Sequence, residues 1–188
     1  MPSKPSAYRK GQYTIDERSG LYLPAREHQV LRAGSGGTAV TGQTSFVATT
    51  PTIMLYQSAS AKRLILDRLT LSQSGTVAGG NITLRIARDT TSRYASGGTT
   101  ITPTDPNGDG TAAASAATLK TNPTASADGS TDHEIIEIEI EAVTGRPVDY
   151  DFGGCVMIGA TGSLMIYTFA ATTGPSWKWD LRWIEETI

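Results

Sequence analysis

Apolar and polar side chains alternate with a period of two in several stretches of this 188-residue chain. The clearest case is 134–143, where isoleucines alternate with glutamates, and the same rhythm recurs in 81–89 and 177–185. Successive side chains of a β-strand point to opposite faces, so the pattern predicts strands with one buried face. The β-branched isoleucines favour strand over helix.

The rest of the chain also favours β-structure. No segment of 11 or more residues carries apolar residues at helical spacing, and the alanine-rich stretch 111–119 could form only one or two helical turns. Parallel strands would need crossover helices, so the sheets should be antiparallel. We expect an all-β fold, an antiparallel β-sandwich that is jelly-roll-like. The predicted strands are 43–48, 52–57, 62–71, 81–89, 99–102, 134–143, 155–159, 164–170 and 177–185.

Composition excludes several classes of protein. The hydrophobic fraction of 38% and the charged fraction of 18% lie below the usual values, which excludes a coiled coil and a highly charged disordered chain. The net charge of −2 gives no overall field for steering nucleic acid, so we expect no nucleic-acid partner. Without an apolar run long enough for a signal peptide or a membrane span, we expect neither export nor membrane insertion.

Residues 1–42 are predicted to form an extended N-terminal arm, because proline and glycine interrupt them repeatedly. Six cations against three anions give this segment a charge of +3, which leaves −5 on the remainder. The asymmetry suggests that the arm docks on an acidic neighbour, with a solvated tail as the alternative. The residues predicted to bind a partner are Tyr8, Arg9, Lys10, Tyr13, Arg18, Tyr22, Arg26 and Arg32.

The remaining residues, 43–188, are predicted to form the β-sandwich, with a long exposed loop at 103–133. Part of this loop matches the first half of a calcium-binding loop, in the residues Asp105, Asn107, Asp109 and Gly110. The twelfth position should be glutamate but is Ala116. The sequence therefore favours a turn over a calcium site.

Other residues that could carry chemistry have structural explanations. Cys155 is the only cysteine and adjoins an apolar run, which predicts a small buried hydrophobe and excludes an intrachain disulfide. His28 and His133 lack a metal-binding spacing. Glutamates that alternate along one strand predict a solvated face or pairs with lysine and arginine across the sheet; they are Glu137, Glu139 and Glu141. We expect no enzyme, no catalytic residue, no cofactor and no metal.

Trp177, Trp179 and Trp183 share one face of the last predicted strand, and that face must be covered. Such spacing is typical of a core or a subunit interface, and we assign the three indoles to subunit packing. Stacking on sugar rings is the alternative, which would make the chain a carbohydrate-binding module or glycan hydrolase and would require the indoles to be exposed.

Three segments resemble a group of virion structural proteins of tailed bacteriophages. They are the run from Asp89 to Thr104, which includes Ser-Gly-Gly at 96–98, the run from Gly162 to Tyr167, and the closing run from Trp179 to Glu185. The resemblance spans about 50–188 and implies a jelly-roll subunit in the virion, assembled in the host cytoplasm.

Two functions follow as expectations. The first is a capsid decoration protein that forms a homotrimer and binds the major capsid protein or other virion proteins. The second is a tail or fibre component whose loop at 103–133 contacts a host glycan or receptor.

Overall fold

The computed structural model describes residues 29–58, 60–75, 81–105, 114–126 and 132–188. Within these ranges the regular structure is entirely β, in twelve strands that form two antiparallel sheets. The predicted all-β antiparallel sandwich is confirmed. The strands are β1 (Gln29–Gly34), β2 (Val40–Thr41), β3 (Ile53–Tyr56), β4 (Lys62–Gln73), β5 (Ile82–Asp89), β6 (Tyr94–Ile101), β7 (Thr118–Ala125), β8 (Asp132–Ile140), β9 (Pro147–Asp151), β10 (Met157–Ile158), β11 (Ser163–Ala170) and β12 (Ser176–Thr187).

Strand pairing is nested. Strand β1 pairs with β12, β3 with β11, β4 with β9, and β5 with β8, all antiparallel. In sheet A, β12 lies between β1 and β4. The short strand β2 also pairs with β12. The other edge of β4 pairs with both β9 and β10. Sheet B has the order β6-β7-β3-β11-β5-β8. Nested pairs wound into two packed sheets constitute a jelly roll, here extended by the hairpin β6–β7.

The core lies between the inner faces of the two sheets and follows the alternation seen in the sequence. Trp177, Trp179 and Trp183 are only 1%, 4% and 0% exposed, inside the core of a single chain. The assignment of these indoles to subunit packing is therefore wrong. Alternation along a strand marks a covered face but does not say whether the cover is the opposite sheet or another subunit, and here it is the opposite sheet.

The strand β1 belongs to the sandwich and not to an arm. All six of its residues pair with β12, and its side chains Leu31 and Ala33 lie in the core. The predicted arm boundary at residue 42 is therefore wrong for the described part, because backbone pairing gives this segment a place in sheet A that apolar periodicity alone did not reveal. Residues 1–28 lie outside the described residues.

The predicted loop at 103–133 contains a strand. Strand β7 pairs with β3 on one side and with β6 on the other, and Leu119 from β7 is fully buried. The calcium-loop residues Asn107, Asp109 and Gly110 lie outside the described residues. The helical turns considered at 111–119 are not found in its described part, where Thr118 and Leu119 already belong to β7.

The segment 43–48, predicted as a strand, instead crosses the outer face of sheet B. Only Gln43 makes an isolated bridge, to Phe169, and the hydroxyl of Tyr167 donates a hydrogen bond to the Ala48 carbonyl at 2.9 Å. The ring of Phe46 packs edge-on against Tyr167 at a centroid distance of 5.1 Å. This segment thus lies over part of a second, smaller cluster of buried side chains on the outside of sheet B.

Candidate functional site

The outer face of sheet A carries four apolar side chains in register across its strands, which we call the apolar row: Val30, Ile184, Ile65 and Met157. They alternate with core residues such as Leu31 and Trp183, so they point away from the core. Val30 is buried, Ile65 and Ile184 are half-buried, and Met157 is 43% exposed. The row therefore opens to the surface most at β10.

Ion pairs surround the apolar row. Arg63 pairs with Glu186 on one side of the row, Arg182 with Asp67 at 3.6 Å on the other, and Arg32 with Asp180 further along β1. Positive and negative side chains thus alternate around the row in these three described pairs. An apolar centre with a charged, solvent-accessible rim is the usual composition of a protein–protein interface.

The buried carboxylate of Glu185, near the end of β12, binds the segment just before β7 to sheet A. Burial raises the pKa of Glu185, but hydrogen bonds from the Ser115 hydroxyl, the Ala116 backbone N–H, the Lys62 ammonium and the Trp183 indole outweigh it and hold the pKa below its ordinary value. The Ser115 hydroxyl donates to this carboxylate at 2.6 Å and the Lys62 ammonium at 3.1 Å. Glu185 therefore stays ionised while fixing the segment just before β7.

A cleft of about 370 Å³ opens at one end of the sandwich, between the two sheets. We call it the end cleft. Its walls come from the ends of β4 and β8, from the connection that carries the chain between sheets at 141–146, and from the starts of β9 and β12. Glu139 and Glu141 stand at the cleft with Arg146, which is ion-paired to Glu141 at 3.2 Å.

Two residues that line the end cleft carry buried polar groups without a described partner. Gln73 and Trp177 face each other across β4 and β12, and they are 2% and 1% exposed. Among the described residues, neither the amide nitrogen and oxygen of Gln73 nor the indole nitrogen of Trp177 has a hydrogen-bond partner. Leaving such a group unsatisfied costs about 1–3 kcal/mol, so the fold maintains these groups at a cost in stability.

The residues predicted to bind a partner are not gathered into one described site. Arg32 lies on β1, where its backbone bonds to Thr104 and its side chain pairs with Asp180. The other predicted residues lie outside the described part of the chain: Tyr8, Arg9, Lys10, Tyr13, Arg18, Tyr22 and Arg26.

The glutamate ladder of β8 behaves as predicted. Glu137 pairs with Arg85 across the sheet at 3.6 Å, and Glu139 accepts a hydrogen bond from Asn81 at 3.0 Å. Both partners of the Arg146–Glu141 pair are largely exposed. The three carboxylates thus lie on a solvated face, where Glu137 and Glu139 have partners across the sheet and Glu141 has one in the connection after β8.

The prediction that Cys155 is buried is wrong, because its side chain is exposed. Its backbone N–H bonds to the Phe152 carbonyl at 3.1 Å, and Gly153 and Gly154 both have positive φ. The two glycines turn the chain outward between β9 and β10, and only afterwards does Ile158 enter the core.

Sequence reasoning missed the end cleft. One signal was available: Gln73 continues the inward alternation of Leu69 and Leu71, so a polar side chain occupies a position where the pattern calls for an apolar one. The predicted strand ends at residue 71, so this glutamine lies outside it. The pairing of Gln73 with Trp177 appears only in the folded sheet.

Comparisons with protein-family models, with curated proteins and with solved structures found no match. Within the described ranges, no group of three or more histidine, cysteine, aspartate or glutamate side chains is arranged to hold a metal ion. No described helix has the length and hydropathy required to cross a membrane. The described part of the chain offers two surfaces for a partner or ligand, the outer face of sheet A and the end cleft.

Proposed function

We propose that this protein is a structural subunit of a tailed-bacteriophage virion, a decoration protein that binds and stabilises the assembled head. The observation that carries the proposal is the outer face of sheet A, where the apolar row is framed by ion pairs. The resemblance of three segments to virion structural proteins supports the same proposal. The proposed function of the protein is contact with other subunits.

The partner proposed for the outer face of sheet A is another copy of the chain, in a homotrimer. In a threefold ring each copy meets its neighbours through two different patches, so the outer face of sheet A would contact a different surface of the next copy. Charges of mixed sign on this face can pair there without accumulating like charges. The exposed side chain of Met157 and the half-buried Ile65 and Ile184 would gain burial in such a contact. Each buried apolar side chain stabilises the assembly in proportion to the area removed from water.

The N-terminal segment is proposed to contact the capsid. Its cationic and tyrosine residues lead directly into β1, at the edge of sheet A, so a trimer built on that sheet would present several such segments together. A ligand that binds only the assembled shell stabilises it by mass action. The proposed contacts are Tyr8, Arg9, Lys10, Tyr13, Arg18, Tyr22 and Arg26, on the major capsid protein or other head proteins.

Binding to purified phage heads tests the proposal. Heads that lack the protein are incubated with the full chain or with a variant missing residues 1–28, and bound protein is measured after sedimentation. We expect the full chain to bind and to raise the temperature at which heads release DNA. The truncated variant should bind much more weakly, because β1 and the sandwich remain but the proposed contacts are gone.

The truncation must end before β1, since removal of Leu31 would confound loss of binding with loss of folding. A circular dichroism melt of the truncated variant provides that control. Unchanged head binding by a folded truncated variant would contradict the role of the N-terminal segment. Absence of binding by the full chain would contradict the decoration function.

A further inference from the structure

We propose that the end cleft is a binding site for a neutral, hydroxyl-bearing small molecule of the size of a saccharide ring. The inference goes beyond the proposed function and does not depend on it. The cleft has about 370 Å³, within the range of small-molecule sites, and lies where the two sheets part at one end of the sandwich.

The buried, unpartnered polar groups of two cleft-lining residues determine what kind of ligand would satisfy them. Within the described residues, the two N–H donors and the oxygen of the Gln73 amide and the indole N–H of Trp177 have no partner. These atoms have almost no accessible surface, so a ligand reaches them when the Gln73 side chain rotates toward the cleft. The backbones of Gln73 and Trp177 are paired across β4 and β12, so the side chains lie next to each other. A hydroxyl group both donates and accepts, so a pair of neighbouring hydroxyls matches this set.

The rim of the cleft selects against anions. Glu139 and Glu141 bring two negative charges and Arg146 brings one positive charge, which leaves a net negative mouth. Carboxylate oxygens can accept further hydrogen bonds from ligand hydroxyls while they hold Asn81 and Arg146. A phosphate or an acidic sugar would meet like charge at this mouth.

The remaining walls of the cleft are apolar. Val143, which is 43% exposed, and Val148 line it together with Pro147. Apolar walls beside a few convergent polar groups are typical of ligand sites. They suit the C–H faces of a sugar ring, whose hydroxyls then point to the amide, the indole and the glutamates.

Ligand-detected NMR and calorimetry on the full chain test the assignment. The probes are neutral methyl glycosides of glucose, galactose, mannose and N-acetylglucosamine, with glucuronic acid as the anionic comparison. We expect saturation transfer to at least one neutral glycoside and weaker or no transfer to glucuronic acid. Binding to none of the neutral glycosides, or a preference for the acid, would overturn the proposal.

Two pairs of variants locate the binding. Gln73→Leu removes the cleft amide, and Gln57→Leu removes a glutamine that is also buried but lies outside the cleft. Trp177→Phe removes the cleft N–H, and Trp179→Phe removes an indole N–H that is likewise without a described partner but does not line the cleft. We expect affinity to fall about tenfold or more in each cleft variant and to persist in each control.

Thermal melts separate a ligand role from a structural one. If the role of Gln73 is to bind a ligand, the Gln73→Leu variant should lose glycoside binding. Its melting temperature should be no lower than that of the parent chain, because the substitution removes unpaired buried polar atoms. Glycoside binding that survives both cleft variants would place the ligand elsewhere and overturn the assignment.

Discussion

Buried polar residues in this jelly roll fall into two groups that differ in how well they are satisfied. Asp89 and Arg93 form an ion pair at 3.3 Å, both almost fully buried, and the Arg93 guanidinium also donates to the Ser126 carbonyl. Glu185 is equally well surrounded by donors. The amide of Gln73, by contrast, has no described partner. The satisfied groups hold connections against the sheets. Of the unsatisfied groups, those of Gln73 and Trp177 belong to the lining of the end cleft, whereas the Trp179 indole nitrogen lies outside it.

Glu185 should make the stability of the protein depend on pH. Because its folded pKa is held below the ordinary value of 4.5, its contribution is complete above that pH and is lost as the pH falls through the folded pKa. Glu185→Gln should lower the free energy of unfolding by about 1–3 kcal/mol at neutral pH. The difference in unfolding free energy between parent and variant should disappear as the pH falls below 4.5. Urea unfolding at each pH measures this difference.

An exposed glutamate provides the control for that experiment. The side chain of Glu141 is 75% exposed, and its pair with Arg146 is largely in water. Glu141→Gln should change the free energy of unfolding by less than about 1 kcal/mol at neutral pH. An equal loss of unfolding free energy in both variants would contradict the role given to Glu185. So would a difference between parent and Glu185→Gln that grows as the pH falls.

At the scale of elements, β1 is predicted to be required for folding. A chain that begins at Gln29 keeps every described strand, whereas a chain that begins at residue 35 loses β1, including the fully buried Leu31. The shorter chain should lose at least about 3 kcal/mol of unfolding free energy, since a core position and a strand pairing both disappear. Urea titrations of the two chains measure the difference, and equal midpoints would show that β1 is dispensable.

Elements with strong alternation could be predicted from the sequence, and elements defined by their neighbours could not. The strands β5, β8 and β12 carry apolar residues at every second position, and this alternation predicts them from the sequence. Strand β7 contains one fully buried large apolar side chain, Leu119, together with Pro123 and with Asn122 at positive φ. Its place is decided by pairing with β3 and β6, which sequence periodicity does not encode.

The candidate sites were hidden for the same reason. The apolar row takes a single residue from each of four strands, so no segment of the sequence shows it. Likewise, Gln73 and Trp177 are distant in sequence and become neighbours only through β4–β12 pairing. The glutamates of β8, which lie along one strand, were predictable as a solvated face.

For the whole molecule, the apolar row is predicted to hold subunits together. The double variant Ile65→Lys with Met157→Lys places two neighbouring cations at the β4–β10 end of the row. This change should convert the proposed trimer to a monomer because buried like charges oppose association. Val47→Lys is the matched control, since Val47 is 41% exposed, close to the 43% of Met157, and lies over sheet B. Light scattering after size exclusion measures the mass of each form.

Two results would contradict that prediction. A parent chain that is monomeric at all accessible concentrations would remove the interface altogether. A double variant that folds, as judged by its melt, and remains trimeric would place the interface elsewhere than the outer face of sheet A.

The central claim is that this jelly roll functions by contact within a virion, and a cryo-EM reconstruction of the phage particle tests it most directly. We predict jelly-roll density on the outer surface of the head, in threefold clusters in which the outer face of sheet A meets a neighbouring copy. Density for the chain only in the tail or its fibres, or subunits on the head whose sheet A faces solvent, would contradict the account.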